Sequence, residues 1–158
     1  MTGKEVSGEM AGSPWLDPKR VRFWAIVLVV VYTLVGFLGL PPLIEAVRAS
    51  GRRVVWSCDP MHGNTRTTPA GVKTRSFDAI LKDLESTIDA HAAAGTILGG
   101  VHFELTGEDV TECTGGAAGL TDEELSGNYA SLCDPRLNYQ QSLELAFLLA
   151  RRLSNGRD

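Results

Sequence analysis

An uncharged hydrophobic run limits the folds open to this chain more than any other feature. Residues 23–40, FWAIVLVVVYTLVGFLGL, contain 18 positions without a charged side chain. As a helix, such a run would be about 27 Å long, close to the thickness of the hydrocarbon core of a bilayer. The run therefore predicts a transmembrane helix. A buried element of a soluble core and a cleaved signal peptide are the alternatives, although no A-x-A cleavage site follows the run.

The residues on either side of this run differ in composition. Residues 1–22 are rich in Gly, Pro, Ser and charge, which predicts a flexible tail. Basic residues stand on both sides of the run, so the positive-inside rule gives no orientation. We predict three parts: a tail over residues 1–22, a transmembrane segment over 23–40 and a folded region over 41–158. The expected location is membrane-associated, or cytoplasmic if the run is not inserted.

Length, charge and cysteine content exclude several classes of protein. A chain of 158 residues is shorter than the roughly 250 that a closed eight-stranded β/α barrel usually needs. A net charge of -4 gives no general basic bias, which argues against a nucleic-acid partner. Cys58, Cys113 and Cys133 are too few and too widely spaced for a disulfide framework, so we expect free, buried thiols in a reducing compartment.

Strand and helix patterns alternate after Pro41 and Pro42. They predict, in order, a helix over residues 43–51, a strand over 54–58, a helix over 76–95 and a strand over 100–105. The last of these, GVHFEL, would direct His102 and Glu104 to one face and its apolar side chains to the other. Such alternation is typical of an α/β fold.

Two capping boxes predict the remaining helices. Thr121 with Glu124 would start a short helix, and Asn138 with Gln141 would start the last one, over residues 139–153. The apolar stripe predicted for that last helix consists of Leu143, Ala146, Phe147 and Ala150.

Three motifs lie where strands are expected to end, and each contains one candidate metal ligand. They are CDPMHGNT, GGVHFELTGEDVTEC and CDPRLN, which contain His62, Glu104 and Asp134. One imidazole and two carboxylates suit a divalent ion such as manganese, cobalt or zinc. Spacing alone, however, favours surface groups or helix caps over a metal site.

The strings WSCDPMHGNT, KTR, GGVHFELTG, DVTEC and CDPRLN followed by SLELAFLLA resemble class II 3-deoxy-D-arabino-heptulosonate 7-phosphate (DAHP) synthases in order and spacing. The resemblance covers about residues 40–153 and corresponds to the C-terminal third of the family. It implies the last βα units of a β/α barrel, and the condensation of phosphoenolpyruvate with erythrose 4-phosphate at a divalent metal, with release of phosphate. It also implies His62, Glu104 and Asp134 as ligands of manganese or cobalt, with His62 beside phosphoenolpyruvate as a catalytic residue.

Further residues receive less specific roles. Lys73 and Arg75 in the KTR string could neutralise substrate phosphate, and a solvated pair is the alternative. Asp59 could orient a neighbouring ligand or simply form a turn before proline. We interpret His102 as a supporting residue rather than an additional ligand, because the ligand set that the resemblance implies is complete without it.

The resemblance also leaves a large part of the family unmatched. Family members have several hundred residues before this region, which supply a cysteine ligand and most of the cationic groups that hold the two phosphates. The string TILGG, residues 96–100, also departs from the THPGG usual in the family. One hypothesis is therefore a DAHP synthase chain that either acts with a partner carrying the missing barrel or is a fragment of such an enzyme. The alternative is a catalytically inactive single-pass membrane protein or fusion product whose β/α remnant is structural.

Overall fold

The computed structural model of the chain describes residues 39–155. The helices in this part of the chain are α1 (Leu40–Ala49), α2 (Phe77–Ala93) and α3 (Tyr139–Asn155). The strands are β1 (Trp56–Cys58), β2 (Thr65–Thr67), β3 (Lys73–Arg75) and β4 (Leu98–Val101), with 3₁₀ turns at His62–Asn64 and Leu125–Gly127. The predicted α/β class is confirmed.

Two small sheets organise the fold. β1 and β4 pair in parallel, with Cys58 opposite Val101, and α2 lies between them in the chain as the crossover that a parallel pair requires. Leu105 forms a further parallel bridge with Leu137. β2 and β3 form an antiparallel hairpin. The carboxyl ends of β1 and β4 therefore lie at the same edge of the parallel sheet.

Helix α2 supplies much of the core. It begins after Ser76, whose hydroxyl accepts a hydrogen bond from the N–H of Ala79 at 3.4 Å. Phe77, Ile80 and Leu84 recur at helical spacing and are buried against the parallel sheet. The core cluster consists of Cys58, Met61, Phe77, Ile80, Leu84, Cys113, Leu137 and Leu145.

Two predicted elements are displaced along the chain. α1 starts at Leu40 rather than at residue 43, and places Pro41 and Pro42 in its first turn, where a missing N–H removes no intrahelical hydrogen bond. β4 spans Leu98–Val101 rather than residues 100–105. Beyond its end, the N–H of His102 donates to the carbonyl of Cys58 at 2.8 Å and continues the pairing with β1.

The two predicted capping boxes differ in outcome. At the start of α3, the N–H of Asn138 donates to Gln141 Oε1 at 3.2 Å and the N–H of Gln141 donates to Asn138 Oδ1 at 2.9 Å, which confirms that box. Thr121 and Glu124 precede a short helix, as predicted, but it is the 3₁₀ turn Leu125–Gly127 rather than an α-helix. The Thr121 hydroxyl donates to the Glu124 carboxylate at 3.0 Å instead of accepting from a helical N–H.

The apolar stripe predicted for α3 is also wrong. Leu143 is 41% exposed and Phe147 is 72% exposed, whereas Leu145 is buried. The reason lies in Gln141, whose side-chain amide donates to the carbonyls of Cys113 at 3.0 Å and Gly115 at 3.2 Å. These bonds anchor the face that contains Gln141 and Leu145 against the core.

The three cysteines are free, as predicted, but only Cys58 and Cys113 are buried. Burial raises the pKa of the Cys113 thiol to about 12. Cys133 is exposed, which corrects the prediction of three buried thiols. Its backbone lies in the loop before α3, where its N–H donates to the hydroxyl of Ser131 at 3.2 Å.

The predicted tail and most of the predicted membrane span lie outside the described residues. Of residues 23–40, only Gly39 and Leu40 are described, and Leu40 opens α1. None of the helices within residues 39–155 combines the length and hydrophobicity that a membrane span requires. The residues discussed below belong to the compact unit that begins at Ile44.

Candidate metal centre

The three predicted metal ligands converge at one point. His62 opens the 3₁₀ turn after β1, Glu104 follows β4, and Asp134 lies in the loop before α3. The Nε2 atom of His62 lies 3.5 Å from Glu104 Oε1 and 3.8 Å from Asp134 Oδ2. One ligand atom from each residue lies within 4.8 Å of the other two. The strand order therefore brings together residues that are far apart in the sequence.

These separations fit a divalent cation. Two ligand atoms about 2.1 Å from a common ion, at angles of about 90 to 110°, lie about 3.0 to 3.4 Å apart. The distances from His62 Nε2, 3.5 and 3.8 Å, exceed the upper end of this range by about 0.1 and 0.4 Å, which small side-chain rotations would remove. One imidazole with two carboxylates is a donor set that manganese, cobalt and zinc accept.

Asp59 holds His62 from the side opposite the two carboxylates. Its Oδ2 lies 2.7 Å from His62 Nδ1, and its Oδ1 accepts the backbone N–H groups of Met61 at 3.0 Å and His62 at 3.2 Å. Burial acts to raise the pKa of Asp59, but these hydrogen bonds outweigh it and hold that pKa below its ordinary value. The ionised carboxylate favours a proton on Nδ1, which leaves the Nε2 lone pair for a cation.

Lys73 and Arg75 of the KTR string orient the two carboxylates, as Asp59 orients His62. Glu104 pairs through Oε2 with Nη1 of Arg75, and Asp134 pairs through Oδ1 with Nζ of Lys73. The hydrogen bond from Lys73 is the main reason that the pKa of Asp134 lies below its ordinary value. Each carboxylate keeps its other oxygen towards His62. Contact of Lys73 and Arg75 with substrate phosphate stays a prediction.

Arg75 is an unusual member of this site because its side chain is fully buried. Nε donates to Thr65 Oγ1 at 2.8 Å, and Nη1 also donates to the carbonyl of Pro135 at 2.6 Å. Nη2 is buried, has no hydrogen-bond partner among the described residues and lies 3.9 Å from Asp134 Oδ2. An unsatisfied guanidinium N–H beside the candidate ligands fits a site built to receive an additional oxygen atom.

Glu112 is a further residue of the site, which sequence reasoning missed. Its carboxylate is fully buried and accepts the backbone N–H groups of Ala130, Ser131 and Arg136, at 3.2, 2.8 and 2.8 Å. The side chain of Arg136 donates to the same carboxylate at 3.0 and 2.7 Å. Glu112 thereby fixes the loop that carries Asp134. Its sequence signal is a charged residue between Val110 and Cys113, two apolar residues that are themselves buried.

His102 lies beside His62, and its supporting role stays a prediction. Its ring lies 5.8 Å from the ring of His62, nearly parallel at 20°. Asp59, His62 and His102 form a second set whose ligand atoms lie within 4.8 Å of one another. Although His102 and Glu104 are two residues apart, His102 groups with Asp59, and Glu104 groups with Asp134.

Comparison with known proteins identifies the family. Residues 29–150 match the model of the Class-II DAHP synthetase family, so the match begins within the uncharged run and earlier than residue 40, where we expected it. The chain is 56% identical over 114 residues to the phospho-2-dehydro-3-deoxyheptonate aldolase AroG of Mycolicibacterium smegmatis, covering 72% of this chain and 25% of that protein. It is 55% identical over 113 residues to the phospho-2-dehydro-3-deoxyheptonate aldolase of Neurospora crassa, covering 70% of this chain and 24% of that protein.

The chain spans about a quarter of the length of these curated relatives. The family match, in contrast, covers well over half of the chain itself. The chain belongs to the class II DAHP synthase family.

Proposed function

We propose that this chain forms the metal-binding quarter of a DAHP synthase. The reaction condenses phosphoenolpyruvate with erythrose 4-phosphate to give DAHP and phosphate. The observation that carries the proposal is the convergence of His62, Glu104 and Asp134 in a chain of this family.

The topology supports an interpretation as the last βα units of a β/α barrel. β1 and β4 are parallel neighbours, and the bridge between Leu105 and Leu137 adds a third parallel segment in the order that successive barrel strands have. His62 and Glu104 follow the carboxyl ends of β1 and β4, the end at which barrel enzymes carry their active sites. The remaining strands of the barrel would come from the rest of a longer protein or from a partner chain.

The residues of the site suggest how the chain would contribute to the reaction. A divalent ion, manganese or cobalt, held by His62, Glu104 and Asp134 would polarise the aldehyde oxygen of erythrose 4-phosphate. Asp59 keeps the proton on His62 Nδ1, which fixes the orientation of the ring. The buried Nη2 of Arg75, which has no hydrogen-bond partner among the described residues, would donate a hydrogen bond to an anionic oxygen of phosphoenolpyruvate.

The chain alone would lack most of the groups that hold the substrates. Positioning two reactants can contribute about 7 to 11 kcal/mol of barrier reduction, and most of the phosphate-binding cations that the resemblance implies lie upstream of this region. An inactive membrane protein or fusion product is not favoured, because the family match covers most of the chain. Membrane association of residues 23–40 stays a prediction.

A sequence exchange tests the proposal. The quarter of the Mycolicibacterium smegmatis relative that matches this chain is replaced by the corresponding residues of this chain. Phosphate release is then measured with manganese, phosphoenolpyruvate and erythrose 4-phosphate. We expect metal-dependent release that Asp134→Asn abolishes and that the exposed control Glu123→Gln leaves unchanged. A correctly folded exchange protein without manganese binding or turnover would contradict the proposal.

A further inference from the structure

His62 lies between two sets of candidate ligands. Its Nε2 faces Glu104 and Asp134 at 3.5 and 3.8 Å, and its Nδ1 lies 2.7 Å from Asp59. His102 completes the set on the Asp59 side, since the ligand atoms of Asp59, His62 and His102 lie within 4.8 Å of one another. Only His62 is common to both sets.

The two sets differ in chemistry and in accessibility. The first offers one nitrogen and two carboxylates, whereas the second offers two imidazole nitrogens and one carboxylate. All three residues of the second set are exposed, so an ion could reach them without opening the fold. Imidazole ligands favour zinc and copper, whereas carboxylate and water ligands favour manganese. Zinc enzymes also use a set of two histidines and one carboxylate, with a coordination position left open for water or substrate.

We propose that Asp59, His62 and His102 form a second cation site, which takes zinc and competes with the first site for His62. A cation bound to His62 Nδ1 would displace the proton that this nitrogen shares with Asp59. The ring would then lose the hydrogen bond that directs Nε2 towards Glu104 and Asp134. The competition rests on the proposed metal centre, whereas zinc binding at the second set does not.

Calorimetry on the full chain, with zinc chloride and manganese chloride titrated separately, tests the proposal. His102→Ala should lower zinc affinity at least tenfold and leave manganese affinity unchanged. Asp134→Asn should lower manganese affinity at least tenfold and leave zinc affinity unchanged, because zinc prefers the two imidazole ligands of the second set. His62→Ala should remove the binding of both ions. Asp134 is chosen over Glu104 because Glu104 carries the charge that compensates the buried Arg75. Saturating zinc should also weaken manganese binding to the wild-type chain.

The controls separate the second site from the first. Glu123→Gln removes an exposed carboxylate outside both sets and should leave both affinities unchanged, and circular dichroism checks the fold of each variant. His102→Gln repeats the test with a polar side chain if His102→Ala is poorly folded. Zinc affinity that is unchanged in both His102 variants would overturn the second site. Manganese affinity that is insensitive to Asp134→Asn would instead overturn the proposed metal centre alone.

Discussion

Glu112→Gln removes the charge of a buried carboxylate while keeping the volume of its side chain. Within the described residues this carboxylate accepts five hydrogen bonds, three from backbone N–H groups and two from the side chain of Arg136. A glutamine has one acceptor oxygen, and its amide nitrogen would face N–H donors. Since breaking a buried ion pair costs about 3 to 5 kcal/mol, we expect the free energy of unfolding to fall by about that amount.

Urea denaturation followed by circular dichroism measures this loss, and its pH dependence tests the cause. Burial acts to raise the pKa of Glu112, but the hydrogen bonds from Arg136 and the backbone hold it below its ordinary value of 4.5. A lowered folded-state pKa gives stability that is present above the ordinary pKa and is lost as the pH falls through the folded-state value. The difference between wild type and Glu112→Gln should therefore be full at neutral pH and shrink below about pH 4.

Glu124→Gln is the matched control, because Glu124 accepts hydrogen bonds from the N–H and hydroxyl of Thr121 at 2.8 and 3.0 Å but is exposed. Its urea midpoint should move far less than that of Glu112→Gln. Since Glu112 fixes the loop that carries Asp134, the folded Glu112→Gln variant should also bind manganese at least tenfold more weakly. Equal midpoints for the two variants, or a pH-independent difference between wild type and Glu112→Gln, would refute the reasoning.

Other predictions concern the metal, the reaction and the hydrophobic run. His62→Ala should abolish manganese binding in calorimetry, and equal manganese affinity in wild type and variant would contradict the metal site. The manganese affinity of the wild-type chain should be below that of the full-length relative, because the cysteine ligand implied by the family is missing. The isolated chain should give little or no phosphate release from the two substrates, and turnover of about 1 to 1000 per second would contradict the argument from missing residues. Residues 23–40 should keep the full chain in membranes during carbonate extraction at high pH, and release into the supernatant would show that prediction to be wrong.

Local interactions made part of this fold predictable. Ser76 and the apolar residues that follow it predict α2 because the cap and the helical spacing lie within a few residues of each other. The box formed by Asn138 and Gln141 is equally local. Two arguments made the convergence of His62, Glu104 and Asp134 predictable. One is the resemblance of the motifs to the family, and the other is the rule that side chains at the carboxyl ends of parallel strands meet at one edge of the sheet.

Long-range contacts explain what the sequence did not reveal. The buried face of α3 depends on hydrogen bonds from Gln141 to carbonyls 26 and 28 residues away, which no helical periodicity contains. The role of Glu112 depends on Arg136, 24 residues further along the chain. The pairing of Lys73 with Asp134 spans 61 residues. Each of these partners is chosen by the packed fold rather than by the local sequence.

The burial of Arg75 has a consequence for how the chain folds. Its Nη1 atom bonds to Glu104 and Pro135, which lie 29 and 60 residues away, so both loops must close before these two hydrogen bonds can form. A collapsed state that hides Arg75 before these partners arrive would carry an uncompensated charge. Compact states with the wrong loop arrangement are therefore raised in free energy relative to the native state. We expect the geometry around His62 to appear in the last cooperative step of folding, together with the burial of this arginine.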